Sequence, residues 1–362
     1  MTAVATGPAP QQPQSPLQPP AQRRHLRQER LPQVGEAGQA RLAAARVALV
    51  GVGATGSHLA ELLGRSGVGS LRLIDRDVVE LTNLPRQCLY TDADAEAVRP
   101  KAEAAAAALA AIDPALRLEP IVADLVADNV ERLLADVDVV LDGTDNFATR
   151  LLVNDVCVRS RRPFVYCGVV GVEAQVLVIV PGGPCLRCYV PELPPAGALP
   201  TCDTAGVLGS AVSLAASFAA TEALKLLLGS PELHAGEVYV LDVWGGELRR
   251  VRLLRDPACP CCGGGRYDFL DEAPAAVATE LCGRDAIQLP AEGGGVDLAA
   301  IETAWAREGS TALSPFLLRL DLPAAGRAPA RRVLLFKDGR MIVGSTRDPA
   351  EARVVRARLL GA

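Results

Sequence analysis

A glycine-rich loop near the start of the chain carries residue types that bind phosphate groups. The segment 46–75 reads RVALVGVGATGSHLAELLGRSGVGSLRLID, and it places Gly51, Gly53 and Gly56 between an apolar run and an apolar-periodic helix. Glycines permit a tight turn and a close approach of backbone to phosphate, and the following helix N-terminus offers free N–H groups. A second apolar run ends at Asp75, whose carboxylate could accept hydrogen bonds from a ribose diol. The pattern predicts a nucleotide-binding β-α-β unit but does not specify the nucleotide.

Two cysteine pairs form the strongest metal-binding pattern in the chain. Cys185 and Cys188 have C-x-x-C spacing, and so do Cys259 and Cys262. Two such knuckles can give four thiolates to one tetrahedral Zn²⁺, which would be structural because no coordination position stays open. Cys261 is a less suitable ligand, since its spacing from the first cysteine of its motif fits a knuckle poorly. The alternative is a pair of incidental cysteine-rich turns.

Composition indicates a folded protein of a reducing compartment. The chain has 362 residues, is 49% hydrophobic, carries a net charge of −5 and has no long basic run, which argues against nucleic acid as its main partner. Met1–Pro20 lacks the apolar region of a signal peptide. The uncharged run Thr204–Thr221 is rich in Ala, Ser and Gly, which favours a closely packed buried helix over a membrane span. We therefore expect a cytoplasmic protein with reduced cysteines.

The apolar runs and helical patterns indicate a doubly wound sheet. Strands alternate with helices up to Cys167, which predicts a Rossmann-like α/β fold with a mainly parallel sheet. From Glu173 onward, strands joined by tight turns predict an antiparallel extension. Residues 1–22 form a Pro/Gln-rich tail that we expect to be disordered. The main domain is expected to span 23–272, and 273–362 is expected to form a small α+β domain.

Several short motifs occur together in one order. They are GVGATG at 51–56, IDRDVVELTNLPRQ at 74–87, RPK at 99–101, DGTDN at 142–146, the two C-x-x-C pairs and TCDTAGVLG at 201–209. In this combination the chain resembles the E1-like activating enzymes of the MoeB/ThiF family, which adenylate ubiquitin-like sulfur-carrier proteins. The resemblance covers about two-thirds of the chain and includes neither the tail nor roughly the last 90 residues.

Activation of a C-terminal carboxylate needs cations and a metal-binding carboxylate. The carboxylate oxygen must attack the α-phosphate of ATP and expel pyrophosphate, so that catalysis depends on positioning and on neutralising phosphate charge. Arg86 and Lys101 are suitable cations, although by composition alone each could be a surface charge. Asp145 suits Mg²⁺ coordination, because it follows a strand end where doubly wound folds place their sites. Asp142 could instead be the ligand or simply support the loop.

The resemblance implies further contacts with the nucleotide. It assigns the ribose to Asp75, the phosphate site to Asn83, and a close backbone approach to the glycine loop. Ala54 stands where many relatives have glycine, which narrows the space for the nucleotide. The complete implied set is Gly51, Gly53, Ala54, Gly56, Asp75, Asn83, Arg86, Lys101, Asp145 and Asn146.

Two further catalytic residues are implied by the resemblance. Arg27 resembles the family arginine that reaches into the active site of a neighbouring protomer, which implies a homodimer, although His25 replaces the usual tyrosine of the R-Y-x-R-Q pattern. Cys202 precedes a helix whose first turn could stabilise a thiolate. In this family a cysteine there can accept the activated acyl group as a thioester or acyl-persulfide. The alternative for Cys202 is a partly buried structural cysteine.

The remaining cysteines have no pattern of reactive residues. Cys88, Cys157 and Cys167 lie on or beside predicted core elements and are expected to be packing residues. Cys282 lacks the cysteine-loop pattern of a sulfurtransferase, so that the C-terminal domain is not expected to supply sulfur itself. Docking of the carrier or oligomer contacts are the expected roles of that domain.

Together these features predict an ATP- and Mg²⁺-dependent adenylyltransferase. It would activate the C-terminal glycine of a ThiS/MoaD-type carrier ending in Gly-Gly for thiocarboxylate formation, with sulfur from a separate donor such as a cysteine desulfurase. The alternatives are E1-like adenylation of another carboxylate, such as a peptide terminus or tRNA base, and a non-catalytic E1-like scaffold. An NAD-dependent dehydrogenase would leave Asn83, Arg86, Lys101 and the cysteines unexplained.

Overall fold

The computed structural model describes residues 24–192, 202–271, 279–280, 285–326 and 329–361. The tail 1–22 and Cys282 lie outside the described residues, so the expectations for them stay predictions. The same holds for the side chain of Cys202.

Eight strands form the main sheet, in the order β3-β2-β1-β4-β5-β6-β7-β8. The first five strands are parallel, and the last three extend the sheet in antiparallel fashion. This arrangement confirms the predicted α/β class with its antiparallel extension. The strands are β1 (Arg46–Val50), β2 (Ser70–Asp75), β3 (Arg117–Val122), β4 (Val139–Asp142), β5 (Phe164–Val170), β6 (Glu173–Ile179), β7 (Glu237–Asp242) and β8 (Glu247–Arg252).

Helices cover both faces of the main sheet, which explains why the central strands are apolar along their whole length. One face carries a hydrophobic core with α3, α5 and α10, and the other carries a second core with α6, α7 and the cysteine-rich turns. The helices are α1 (Leu26–Glu29), α2 (Gly35–Ala44), α3 (Ala54–Arg65), α4 (Asp92–Glu96), α5 (Lys101–Ile112), α6 (Ala127–Leu133), α7 (Phe147–Arg159), α8 (Leu186–Tyr189), α9 (Cys202–Ala205), α10 (Gly209–Leu228) and α11 (Asp268–Asp271).

Helix α10 is the small-residue helix expected from the sequence, but it begins at Gly209 rather than near Thr204. Its buried residues include Ala211, Ala215 and Ala219, which recur every fourth position and so line one face. Their small side chains let α10 pack closely on α3 and the sheet. By length and composition alone α10 could cross a membrane, a test that core helices of soluble proteins also pass.

Six strands form a second, small sheet in the order β11-β12-β13-β14-β10-β9. The expected hairpin about Asp338 and Gly339 is present, and Gly339 has a φ of +92°, which favours glycine. The elements are β9 (Thr279–Glu280), β10 (Ala286–Leu289), α12 (Leu298–Trp305), β11 (Ser310–Leu313), β12 (Leu317–Leu322), β13 (Arg331–Phe336), β14 (Met341–Gly344) and α13 (Pro349–Leu360).

Alternation along these strands divides the small sheet into two apolar faces. Val333 and Leu335 of β13 belong to the buried cluster that includes Trp305 of α12 and Leu359 of α13. Leu334 and Phe336 belong instead to a cluster with Val78 and Val98, which lie beyond β2 in the main unit. The small sheet therefore packs directly against the segment that follows the predicted ribose-binding strand.

Candidate active site

The glycine loop between β1 and α3 is held by close backbone packing. A Cβ atom at Gly51 would lie 2.7 Å from the Gly143 oxygen, and one at Gly56 would lie 2.0 Å from the Gly51 oxygen. These two glycines are therefore needed to pack the loop against the end of β4. Gly53 differs, because a Cβ there would meet its nearest neighbour, Gln87 Nε2, only at 3.9 Å. The space beside Gly53 is open to a ligand.

The N-terminus of α3 fits a phosphate group. Its N-cap is Gly53, and no side chain caps the helix. Uncapped N–H groups and the positive end of the helix dipole therefore meet the open side of the loop. Ala54 is half-buried and packs against the core, so its methyl group has a packing role of its own.

Asp75 ends β2 with a buried side chain. Its Oδ2 accepts a hydrogen bond from the Val52 N–H at 2.7 Å, and its Oδ1 accepts one from the Asp77 N–H at 2.7 Å. Burial raises the pKa of Asp75 above its ordinary value, while the Lys101 ammonium acts in the opposite direction. Each carboxylate oxygen has a second lone pair. The same side chain can therefore hold the glycine loop and accept a ribose hydroxyl.

Lys101 is buried beside the same turn. Its Nζ lies 3.1 Å from Asp77 Oδ2, and its backbone N–H donates to the Asp77 carbonyl oxygen at 2.8 Å. Asp77 was not singled out by the sequence reasoning, although it belongs to the IDRDVVELTNLPRQ motif. Its two contacts fix both the start of α5 and the direction of the Lys101 side chain. A cation and the predicted ribose-binding carboxylate are thereby held on one turn.

Asn83 and Arg86 lie in the turn that follows. Asn83 is buried, and its Oδ1 accepts a hydrogen bond from the Glu80 N–H at 3.2 Å. Arg86 is half-buried, and its Nη1 donates to the Thr82 carbonyl oxygen at 2.7 Å. Both side chains thus stabilise the turn, and phosphate binding by either of them stays a prediction.

The two aspartates of the DGTDN motif have different surroundings. Asp142 is buried, pairs with Arg150 Nε at 2.8 Å and accepts hydrogen bonds from Thr144 N and Oγ1 at 2.8 and 2.6 Å. Burial raises the pKa of Asp142, and Arg150 opposes that shift. Asp145 is exposed at the carboxyl end of the sheet. The geometry favours a supporting role for Asp142 and leaves Asp145 accessible to a metal ion.

Asn146 caps α7, because its Oδ1 accepts a hydrogen bond from Thr149 N at 2.9 Å.

Arg76 is a charged residue of this site that the sequence reasoning missed. Its Nη1 lies 3.3 Å from both carboxylate oxygens of Asp124. Burial alone would lower the pKa of Arg76, but Asp124, Asp77 and Asp145 raise it above its ordinary value. The sequence signal that could have identified Arg76 is its position directly after Asp75, at the end of a strand that points to the site. Arg76 therefore interacts electrostatically both with Asp145, the predicted metal-binding carboxylate, and with Asp77.

The four predicted cysteine ligands converge, with all their Sγ atoms within 4.8 Å of one another. Sγ separations are 3.7 Å for Cys185 and Cys259, and 3.4 Å for Cys188 and Cys262. Tetrahedral Zn²⁺ with Zn–S bonds of about 2.3 Å needs S–S separations of about 3.8 Å. The four thiols therefore fit such an ion.

A buried asparagine ties the two cysteine knuckles together. Asn154 Oδ1 accepts from the Leu186 N–H at 2.8 Å, and its Nδ2 lies 3.4 Å from Cys261 Sγ. Cys261 is thus engaged by α7 and does not belong to the group of four converging thiols. The knuckles pack in the core on the opposite side of the main sheet from α3 and α10. This location suits a structural metal.

Arg27 lies on the exposed side of α1. The neighbouring Gln28 anchors this helix, because its Nε2 donates to the Ser66 carbonyl oxygen at 2.8 Å and to Gln39 Oε1 at 2.9 Å. Arg27 is therefore presented at the surface by a fixed helix. Its reach into a neighbouring protomer stays a prediction.

The other cysteines only partly follow expectation. Cys157 and Cys167 are buried, as expected for packing residues, and burial raises the pKa of the Cys157 thiol to about 12. Cys88 is exposed, so the expectation of core packing was wrong there. Its position in the turn that ends the IDRDVVELTNLPRQ motif brings it to the surface.

Comparisons with known proteins agree with the motifs. The sequence model of the ThiF family matches residues 25–261. The chain is 38% identical over 329 residues to "Sulfur carrier protein ThiS adenylyltransferase" of Bacillus subtilis, covering 89% of this chain and 94% of the relative. It is 40% identical over 229 residues to "Sulfur carrier protein adenylyltransferase" of Thermus thermophilus, covering 62% and 84%.

Solved structures show the same fold. The chain is similar to Escherichia coli MccB in a crystal structure with ATP, with a TM-score of 0.56 and 22% identity over 62% of this chain and 69% of that one.

The 329-residue match to the Bacillus subtilis relative is longer than the family match to residues 25–261, so that relative also shares sequence beyond this range.

Proposed function

The chain belongs to the ThiF family, and from this premise we propose that it is an ATP-dependent adenylyltransferase acting on the C-terminal carboxylate of a ubiquitin-like sulfur-carrier protein. One observation carries the proposal. The uncapped N-terminus of α3, the buried Asp75 and the Lys101–Asp77 pair meet at the carboxyl ends of β1 and β2. They do so in a chain similar to named sulfur-carrier adenylyltransferases over 94% and 84% of their lengths.

In the proposed reaction the chain orients ATP and the carrier terminus. The α3 N-terminus and Lys101 bind phosphates, Asp75 binds the ribose, and Arg86 adds a second cation. A carboxylate oxygen of the carrier attacks the α-phosphorus, the bond from that phosphorus to the bridging oxygen breaks, and pyrophosphate leaves with the negative charge. The product is an acyl-adenylate. Preorganised cations stabilise the charge that develops on the phosphates.

Two metal ions complete the proposal. Asp145 would hold Mg²⁺, which supplies positive charge for the phosphates when bound. Cys185, Cys188, Cys259 and Cys262 would hold structural Zn²⁺, which would link the same two knuckles that Asn154 contacts.

The rest of the proposed cycle involves other molecules. A separate donor, such as a cysteine desulfurase, supplies sulfur to the acyl-adenylate, with or without a covalent intermediate at Cys202. The active form is a cytoplasmic homodimer in which Arg27 of one protomer contributes to the site of its partner. Mixing inactive Arg27→Ala and Lys101→Ala proteins tests the dimer, because regain of activity requires one intact site with one intact arginine.

Exchange of ³²P-pyrophosphate into ATP tests the adenylation step directly. We expect exchange with a carrier that ends in Gly-Gly and none with the same carrier lacking these two residues. Asp145→Ala should reduce exchange about 10²- to 10³-fold, as expected when one charge-stabilising group is lost. Glu232→Ala, which removes an exposed carboxylate after α10, is the matched control and should leave exchange unchanged.

Two outcomes would contradict the proposal. Wild-type protein that gives no exchange with any Gly-Gly carrier, but does with a peptide terminus, would move the substrate to another carboxylate. Unchanged exchange in Asp145→Ala would remove that residue from the site.

A further inference from the structure

The small sheet covers the turn that carries the nucleotide-site residues Asp75 and Asp77. The face of the small sheet that packs against the main unit contributes Leu334, Phe336 and Ile342 to a buried cluster with Val78, which directly follows Asp77. Within this apolar contact two polar side chains of the small sheet reach the residue between the two aspartates, Arg76.

The first polar contact is an indirect one through Asp124. Gln288 of β10 is only 3% exposed, and its Nε2 donates to Asp124 Oδ2 at 2.9 Å. The same carboxylate lies 3.3 Å from Arg76 Nη1. A buried amide donor thus fixes the carboxylate that orients the Arg76 guanidinium.

The second polar contact reaches the main chain. Arg340 is only 3% exposed, and its Nη1 donates to the Arg76 carbonyl oxygen at 3.2 Å. The Arg340 guanidinium is itself fixed, because it pairs with Asp338 at 2.6 Å and lies 4.4 Å from the Phe336 ring centroid. The donor to the Arg76 carbonyl is therefore a rigid one.

Both ends of Arg76 are thereby held from the small sheet. Asp75, one residue before, is the ribose acceptor of the proposed site, and Asp77, one residue after, holds Lys101. A displacement of Arg76 would move both neighbours, since consecutive Cα atoms are only about 3.8 Å apart along the chain. Gln288 and Arg340 are thus placed to control the ribose and phosphate contacts together.

We propose that Gln288 and Arg340 are positioning residues for the nucleotide, and that the small sheet sets the affinity of the main unit for ATP. This inference rests on the proposed function, because it takes the site to be an ATP site. Linkage makes the effect reciprocal: a nucleotide that orders the Asp75–Asp77 turn must also strengthen its contact with the small sheet.

Gln288→Leu tests the inference in the full-length chain. The variant places an apolar side chain of similar size at this position of β10 and removes the donor to Asp124. We expect the KM for ATP in pyrophosphate exchange to rise about tenfold, corresponding to about 1.4 kcal/mol of binding free energy, with kcat changed less than about twofold. A loss of folded protein alone would lower kcat and leave KM unchanged.

Arg356→Gln is the matched control. Arg356 is similarly buried and donates to the Pro290 carbonyl oxygen, two residues after Gln288, at 2.7 Å. It belongs to α13, on the face of the small sheet that points away from the nucleotide turn. We expect lower thermal stability with an unchanged KM for ATP. An equal rise of KM in both variants, or no rise in Gln288→Leu, would overturn the inference.

Hydrogen–deuterium exchange of the wild-type protein tests the reciprocal effect without any variant. A non-hydrolysable ATP analogue should slow exchange in the glycine loop 51–56 and also in β10 and β14. Protection of the loop without protection of β10 and β14 would overturn the inference and leave the proposed function intact. Absence of protection in the loop itself would count against the ATP site, and hence against the proposed function.

Discussion

The cysteine cluster and the nucleotide site are assembled in different ways. Two local motifs supply all four predicted cysteine ligands, and folding has only to bring two turns together. The nucleotide site depends instead on pairings that its motifs do not reveal: Lys101 is directed by Asp77 of another motif, and the DGTDN loop is held by Arg150. The residues of the cysteine cluster can therefore be recognised from their own motifs. The nucleotide site also needs the residues that orient its side chains, and these are seen only in the folded chain.

The largest effect should come from a single ligand of the cysteine cluster. Cys259→Ser should lose the bound zinc, because three thiolates and a hydroxyl bind it far more weakly, and apparent zinc-binding free energies in isolated fingers are on the order of 10 kcal/mol. We expect about one zinc ion per wild-type chain by plasma emission spectrometry and almost none in the variant, with a lower Tm.

Cys261→Ser is the control, since Cys261 lies outside the group of four converging thiols. It should retain the metal. Loss of zinc from this variant would show that the ligand set is wrong.

The next largest effect should separate the two aspartates of the DGTDN motif. Asp142→Ala leaves the buried guanidinium of Arg150 without its carboxylate partner, which should reduce the free energy of unfolding by about 3–5 kcal/mol. Asp145→Ala removes an exposed carboxylate, so that stability should change by less than about 0.5 kcal/mol while exchange activity falls. Urea denaturation of both variants provides the measurement. Equal destabilisation by the two substitutions would contradict this division of roles.

A smaller effect should come from the partner that directs Lys101. Asp77→Ala removes the contact to Nζ at 3.1 Å but keeps the backbone hydrogen bond to the start of α5. We expect the KM for ATP to rise about three- to tenfold, less than in Lys101→Ala, because the cation is retained but is no longer held by Asp77. The double variant should bind ATP no more weakly than Lys101→Ala alone. Additive effects would mean that Asp77 acts independently of Lys101.

Features that depend on local sequence could be predicted, whereas features that depend on distant contacts could not. The β1-loop-α3 unit and the hairpin at Gly339 follow from local periodicity and turn residues, and the convergence of the four cysteines follows from their spacing. Strand β10 was not predicted, because four residues carry too little periodicity to distinguish a strand from a loop. The contact of Gln288 with Asp124 joins residues 164 positions apart, and no local pattern encodes it. The supporting role of Asp142 likewise depends on burial, which only the folded chain defines.

The smallest effect should come from Cys88, a cysteine near the nucleotide site rather than in the cluster. The residue is exposed, yet desolvation and a hydrogen bond with Glu61 raise the pKa of its thiol to about 12. A raised pKa keeps the thiol protonated until the pH approaches that value, so only a small fraction of molecules carries the reactive thiolate at pH 8. We therefore expect slow alkylation of Cys88 by iodoacetamide at pH 8, measured by peptide mass spectrometry, and exchange activity within about twofold of wild type in Cys88→Ser. Labelling as fast as that of free cysteine would show that Glu61 does not hold the thiol. Exposure alone would then be enough to make a cysteine beside the nucleotide site reactive. The cysteines of the two regions would then differ only in whether they bind a metal ion.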